Sequence, residues 1–202
     1  MLIKDSDLKN FPVLSLHMSG MIAKTTEAII DPSDLKIIGF YLNGPEVGNG
    51  ENGDILQVRD IREFSNLGMV IDSADEFVYA DDVIKLKEVV DINFQLIDKK
   101  VETKKKTKLG KVIGYTVTPE DFMIQQIIVQ RPFMKSFLDP ELIIGRSEIV
   151  NVDDEKIIVK DEEKKIRERA TKEDFVPNFV NPFREPQLSR ADSQTLDEPD
   201  TQ

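Results

Sequence analysis

The stretch LGKVIGYTVTPEDFMIQQIIVQ, residues 109–130, decides how this chain folds. It contains two runs rich in β-branched and aromatic residues, which favour strands. The segment TPED between them, residues 118–121, is typical of a type I turn, because proline presets φ and the acids can cap nearby amides. The stretch therefore predicts a β-hairpin.

A diverged copy of this stretch lies earlier in the chain. AKTTEAIIDPSDLKIIGFYL, residues 23–42, aligns without gaps on residues 110–129, so that the two copies are offset by 87 residues. Identical pairs are Lys24/Lys111, Pro32/Pro119, Asp34/Asp121 and Ile37/Ile124, and Arg59 aligns with Arg146 at the same offset. The pattern predicts an internal duplication.

Short apolar runs separated by turns follow each hairpin, and this favours small β-barrels over an α/β layer fold. The predicted boundaries are 11–79 for the first repeat, 80–92 for a linker and 93–161 for the second repeat. The linker has apolar residues near helical spacing and is either a helix or a bridging strand. A short charged helix is predicted at 162–175, followed by an extended, disordered tail at 176–202.

The amino-acid composition excludes several classes of chemistry. The 202 residues carry a formal net charge of -11 and include no cysteine, which excludes disulfides, thiolate catalysis and zinc held by cysteine. No apolar run reaches the roughly 18 residues of a membrane span, and the opening residues lack a secretory pattern, so we expect a cytoplasmic protein. The acidic balance disfavours contact with nucleic acid or anionic lipid outside a local basic patch.

Residues 109–130, followed by ELIIGRSEIVNVDDEKIIV at 141–159, resemble the PRC-barrel family, in which a Gly-Lys-Val opening leads through two strands to a closing β-run. The first repeat fits more loosely, with Ala23 in place of Gly110 and Glu27 in place of Gly114. The resemblance implies an all-β fold of two small PRC-type barrels in tandem. It also implies a docking or scaffold role without a catalytic constellation.

Motifs that would carry catalysis are weak. GNGENG at 48–53 matches a dinucleotide-binding string, but a β-like run follows it where a helix N-terminus is needed. His17, the single histidine, alternates away from Leu14, Leu16 and Met18 and is predicted to be solvated. The carboxylates at 72–82 and 153–155 lack the spacing of a calcium loop. We expect no catalytic, cofactor or metal site, and an enzyme is the least favoured class.

Three segments are candidates for binding. The first, residues 99–111, is either a solvated hairpin that protects an edge strand or an anion-binding surface. The second, QRPFMKSFLDP at 130–140, covers a barrel mouth or contacts a partner. The third, DFVPNFVNPF at 174–183, packs on its own barrel or is captured by a partner. The candidate anion-binding residues are Lys99, Lys100, Lys104, Lys105, Lys106 and Lys108, and the candidate partner-binding residues are Phe133, Met134, Phe137, Leu138, Phe175, Phe179 and Phe183.

These observations favour a cytoplasmic, non-enzymatic adaptor or scaffold that binds a protein partner and has no cofactor. The alternative is a factor like those of ribosome maturation, with the lysine hairpin near RNA and a barrel on a ribosomal protein. A homodimer through an apolar face is a further expectation.

Overall fold

Strands dominate the structure, a computed structural model that describes residues 2–48, 53–132 and 140–161. The prediction of a mostly β protein is confirmed. The described elements all belong to one unit of the chain, Met1–Asp161. The helix predicted at 162–175 and the tail predicted at 176–202 lie outside the described residues.

The elements are numbered in chain order. The strands are β1 (Ile3–Lys4), β2 (Pro12–Ser15), β3 (Gly20–Asp31), β4 (Lys36–Asn43), β5 (Ile55–Gln57), β6 (Glu63–Ser65), β7 (Gly68–Ile71), β8 (Phe77–Val78), β9 (Lys100–Thr103), β10 (Lys108–Val117), β11 (Ile124–Gln130), β12 (Glu141–Gly145), β13 (Ile149–Val152) and β14 (Lys156–Val159). The α-helices are α1 (Asp5–Leu8) and α2 (Ile84–Ile92), and single 3-10 turns occur at Val58–Asp60, Ala74–Glu76, Ala80–Asp82 and Arg146–Glu148.

These strands form two seven-stranded sheets within the described residues. The first has the order β6-β7-β2-β3-β4-β5-β8, and the second has the order β12-β11-β10-β9-β14-β13, with β1 paired to β10. Each sheet contains one parallel pair, β2 with β7 and β9 with β14, and its other pairs are antiparallel.

The two sheets repeat one another at the offset found in the sequence. Strands β2 to β7 correspond in order to β9 to β14, and the six corresponding strands have the same neighbours in both sheets. Left-handed backbone conformations also recur, at Ser19 and Lys106 in one turn and at Leu35 and Phe122 in the next. The aligned residues therefore specify the same hairpins, turns and pairing twice.

The turns that follow β3 and β10 join the two repeats. The amide of Ile37 donates to the carbonyl of Phe122, and the amide of Ile124 donates to the carbonyl of Leu35, both at 3.0 Å. These bonds are equivalent under the repeat, and Lys36 and Met123 form an antiparallel bridge between them. The junction therefore has an approximate two-fold relation inside one chain.

One apolar core spans both repeats. Phe122 is buried, and its ring meets Phe40 at 5.8 Å and Phe64 at 5.6 Å between centroids in edge-to-face geometry. The buried cluster continues from Ile37 in the first repeat to Ile124 in the second. Neither strand order closes on itself among the described residues, so the observed architecture is two sheets around a shared core.

The segment between the repeats is helical. Helix α2 buries Leu86 against Ile29 and Ile55 of the first sheet and ends at Asn93 in the left-handed conformation. Of the two predicted alternatives for the linker, the helix is observed and the bridging strand is not. The burial of one leucine in about two turns is typical of a helix that packs along one face. Neither helix in the part of the chain that the structure describes has the length and apolar character needed to cross a membrane.

Candidate functional site

The lysine-rich segment forms the hairpin between β9 and β10. The amide of Lys106 donates to the carbonyl of Thr103 at 2.8 Å, and the amide of Thr103 donates to the carbonyl of Thr107 at 3.0 Å. Lys106 takes φ of 62°, the left-handed conformation that closes the turn. We call residues 103–107 the basic tip.

The structure brings most of the candidate anion-binding lysines together. The side chains of Lys104, Lys105 and Lys106 are exposed at the basic tip, and Lys100 and Lys108 are exposed on the two strands below it. Like charges this close repel one another, so an anion placed over the tip would lower the electrostatic free energy of the protein.

Lys99 is separate from this exposed set. Its side chain is buried, with the ammonium donating to the carbonyl of Asp154 and lying 4.5 Å from the centroid of the Phe94 ring. Such a desolvated, partnered cation stabilises the local fold. We therefore leave Lys99 out of the exposed surface.

The interpretation of the lysines as guards of an edge strand is wrong. Strand β9 lies between β10 and β14, so neither side of its backbone is a free sheet edge. The end of β14 extends to the basic tip, where the amide of Lys104 donates to the carbonyl of Val159 at 3.0 Å. Lys160, the next residue, is exposed beside the tip. The sequence alone does not place Lys160 here, because only the parallel pairing of β9 with β14 brings it to the tip.

The equivalent hairpin of the first repeat is apolar. Its turn, residues 16–19, joins β2 to β3, and Leu16, Met18 and Met21 are each more than half exposed. The amide of His17 donates to the carbonyl of Asp72 at 3.0 Å, the counterpart of the bond from Lys104 to Val159. We call residues 16–21 the apolar tip. The two tips thus share a backbone arrangement and differ in chemistry.

His17 is exposed, as predicted, but for a different reason. Strand β2 ends at Ser15, and His17 lies in the turn. The alternation that placed Leu16 and Met18 on a buried face is wrong, because the two-residue period of a strand does not continue through a turn. No signal in this short run separates the end of the strand from its continuation.

The apolar loop residues and the phenylalanines of the third candidate segment fall outside the described residues, and their binding roles stay predictions. They are Phe133, Met134, Phe137, Leu138, Phe175, Phe179 and Phe183. Of the glycine-rich string, Gly48 and Gly53 are described, and their backbones are bonded at 3.1 Å. Strand β5 follows the string, as predicted, and it offers no helix N-terminus for a phosphate.

The acidic clusters are engaged in turns and ion pairs. Asp72 pairs with Arg62 at 2.6 Å, Asp81 pairs with Lys87 at 2.6 Å, and Asp153 accepts a hydrogen bond from Asn151. Among the described residues, no group of three or more histidines and carboxylates is placed to hold a metal ion.

Glu76 differs from the other acids. One of its carboxylate oxygens is buried without a hydrogen-bond partner. Burial raises the pKa of this carboxyl above its ordinary value, and a backbone hydrogen bond at Asp72 offsets part of the rise. The charge of Arg62 lowers the pKa of Glu76 and so favours its ionised form. An acid that has such a nearby cation suits a local structural role.

Comparison with known proteins does not assign a family. No protein-family model matches the chain, and a search of curated proteins found no match.

Proposed function

We propose that this chain is a cytoplasmic, non-enzymatic adaptor built from two PRC-type barrels, which binds a protein partner through the apolar tip. The observation that carries the proposal is the contrast between the two tips. Equivalent hairpins on one shared core present methionine and leucine in the first repeat and lysine in the second. Such divergence at exposed positions of a common frame suits two different contacts.

The strand order supports the PRC-type assignment. Both sheets have the same sequence of pairings, and the Gly-Lys-Val opening lies in β10. Gly110 takes φ of 147°, and a Cβ atom there would lie 1.8 Å from the carbonyl oxygen of Gln130. This position of the motif therefore requires glycine, because any side chain would clash with the Gln130 carbonyl.

The apolar tip is well suited to protein contact because its backbone is already fixed. Three bonds hold the turn: Leu16 donates to Ile71 at 3.0 Å, His17 donates to Asp72, and Met18 donates to the hydroxyl of Ser15 at 3.1 Å. A fixed turn loses little backbone entropy on binding. Methionine side chains adapt to irregular apolar surfaces and make good contacts with aromatic rings.

A matched pair of variants tests this proposal. Met18→Ser combined with Met21→Ser removes two of the three exposed apolar side chains of the tip, and Leu67→Ser removes a still more exposed apolar side chain from the turn between β6 and β7. We expect the double variant to bind its partner about tenfold or more weakly, because each buried methionine contributes roughly 1.5–3 kcal/mol. Capture of the full-length chain from its own cytosol, with bound proteins quantified, gives the comparison.

The Leu67→Ser control should keep the partner of the unaltered protein. Equal recovery of every bound protein by the double variant and the control would contradict a role for the apolar tip. Turnover of a small metabolite by the purified chain would contradict the adaptor proposal itself.

The exposed lysine cluster favours a second candidate, a ribosome-maturation-like factor whose basic tip contacts RNA. Replacing Lys104, Lys105 and Lys106 with Gln should lower the salt dependence of RNA binding by about 2 in its logarithmic slope, since each contact with single-stranded RNA contributes about 0.7. The control is a variant in which three exposed lysines away from the tip, Lys4, Lys24 and Lys85, are replaced with Gln. Cosedimentation with small ribosomal subunits that is insensitive to the basic tip would exclude this candidate.

A further inference from the structure

A cavity of about 510 Å³ lies where the two repeats meet. Its walls come from both halves of the chain: Asp5, Leu8 and Lys9 line it together with residues 94–97, and Ala28 of β3, also on the lining, corresponds to Tyr115 of β10. The site is therefore a product of the duplication. Neither repeat could form it alone.

The inner wall of the cavity is apolar. Leu8, Ile30, Phe40 and Leu96 line it and are each at most 5% exposed, and Phe94 adds a half-buried ring. A hydrocarbon chain placed against these side chains would be removed from water, which is favourable by roughly 25 cal/mol for each Å² buried.

Tyr115 supplies a polar group that the fold leaves unused. The residue is 6% exposed and lines the cavity, and its backbone amide donates to a carboxylate oxygen of Asp5 at 3.1 Å. No hydrogen bond to the Tyr115 hydroxyl is present within the described residues. Burial, followed by the charges of Asp5 and Glu27, raises the pKa of the phenol, so it stays neutral at ordinary pH. The hydroxyl oxygen itself is not sealed from solvent, so a ligand or water that enters the cavity can hydrogen-bond to it.

Two carboxylates, those of Asp5 and Glu27, line the same cavity. Asp5 lies against Gly114, where a Cβ atom would come within 3.1 Å of its oxygen, and Glu27 occupies the position that corresponds to Gly114 in the first repeat. Lys9 is the cationic side chain on the lining, and it is exposed at the rim. The lining therefore has two acidic side chains and one basic side chain, so it is acidic on balance.

We propose that this cavity binds an organic cation on an apolar stem, an alkylammonium or alkylguanidinium group of the kind found in lysine and arginine. The stem lies against the apolar wall, and the cation donates hydrogen bonds to the Tyr115 hydroxyl and to Asp5 and Glu27. An anion would be repelled by the two carboxylates, and an uncharged chain would gain nothing from them. The cation comes either from a free amine or from a basic side chain of a peptide.

Titration of the full-length chain with n-butylammonium and n-butylguanidinium, followed by NMR shifts of the Tyr115 amide and ring, tests the site. We expect saturable shifts with both cations and none with butanol or butyrate at equal concentration. Tyr115→Phe should weaken binding about tenfold, because it removes a hydrogen bond to a charged group and keeps the ring. Glu27→Gln should weaken it about threefold, since an exposed charge contributes less.

Glu120→Gln, at an exposed position off the lining, is the control and should change nothing. Thermal unfolding of each variant separates loss of binding from loss of fold. Absence of saturable shifts with both cations, or equal binding of butanol, would overturn the proposal.

The two sources of the cation are separated by one further comparison. A lysine-containing pentapeptide that binds at least tenfold more tightly than n-butylammonium, and loses this advantage when norleucine replaces lysine, indicates a peptide side chain. Equal or tighter binding of the free amine indicates a small molecule.

Discussion

The apolar tip and the basic tip are the same piece of backbone used twice. Both close through a residue in the left-handed conformation, Ser19 or Lys106, and both are tied to the strand beside them by an equivalent 3.0 Å hydrogen bond. Their side chains share no chemistry. The two repeats have therefore kept the same fold while their exposed tips have come to differ. Buried contacts limit substitution in the core, whereas side chains exposed to solvent can change more freely.

The turns at the junction show the opposite behaviour. Leu35 and Phe122 are both apolar, both buried and both in the left-handed conformation, which apolar residues seldom adopt. Each accepts a hydrogen bond from the other repeat. This comparison indicates that the junction turns, unlike the tips, are held by packing, and it can be tested by substitutions at equivalent positions.

The largest effect is expected at Phe122. Phe122→Ala removes a ring that contacts Phe40 and Phe64 across the junction, so it should lower the free energy of unfolding by about 3–5 kcal/mol. Leu35→Ala should cost roughly 2–4 kcal/mol, since the smaller side chain leaves a smaller cavity. Urea unfolding followed by circular dichroism and tyrosine fluorescence gives both values.

Both variants should unfold in a single transition at a lower urea concentration, because one core spans the two repeats. Leu67→Ala is the control and should shift stability by less than about 0.5 kcal/mol at its exposed position. Two separate transitions, with Phe122→Ala moving only one, would mean that the repeats fold independently.

A second comparison concerns Gly110 and its counterpart Ala23. Gly110→Ala forces a Cβ atom against the Gln130 carbonyl at a positive φ, so it should destabilise the protein by about 2–3 kcal/mol. Ala23→Gly should cost only about 0.5–1 kcal/mol, from added freedom of the unfolded chain. The same urea experiment measures both. A loss for Gly110→Ala no larger than that for Ala23→Gly would contradict the steric requirement for glycine at position 110.

Much of this frame could be predicted from sequence. The repeat offset, the hairpins around residues 31–36 and 118–123, and the strands after them follow from β-rich runs, proline and turn acids. These signals are local, so short windows contain them. The solvated lysines at the basic tip were predictable for the same reason.

Contacts between distant segments could not be predicted. The pairing of β14 beside β9 removes the sheet edge that the lysines were expected to protect, and no local pattern indicates it. The cavity was missed because it needs Asp5, Glu27 and Tyr115 together, from three separate elements. The apolar tip was missed because Leu16 and Met18 have the composition of a buried strand and lie in a turn.

The smallest effect is expected where the two repeats cap their junction turns differently. In the second repeat, Asp121 accepts hydrogen bonds from the Thr118 hydroxyl at 2.5 Å and the Met123 amide at 3.0 Å, and these lower the pKa of its carboxyl. In the first repeat, the amide of Ser33 donates instead to Asp31 at 2.9 Å. Because solvent screens the exposed Asp121, Asp121→Asn should cost only about 0.2–0.5 kcal/mol at neutral pH.

The pH dependence of this loss gives the sharper test. A carboxyl whose pKa is lowered by folding adds stability above its unfolded pKa, near 3.8, and that stability is lost as pH falls through the folded value. The difference between the unaltered chain and Asp121→Asn should therefore shrink below about pH 3.8 as the carboxyl becomes protonated in both states. Urea unfolding at pH 7 and at pH 3 measures it, with Asp34→Asn at the equivalent position as the control. A loss that is equal at the two pH values would assign the effect to side-chain shape, since the charge of Asp121 would then contribute nothing to the turn.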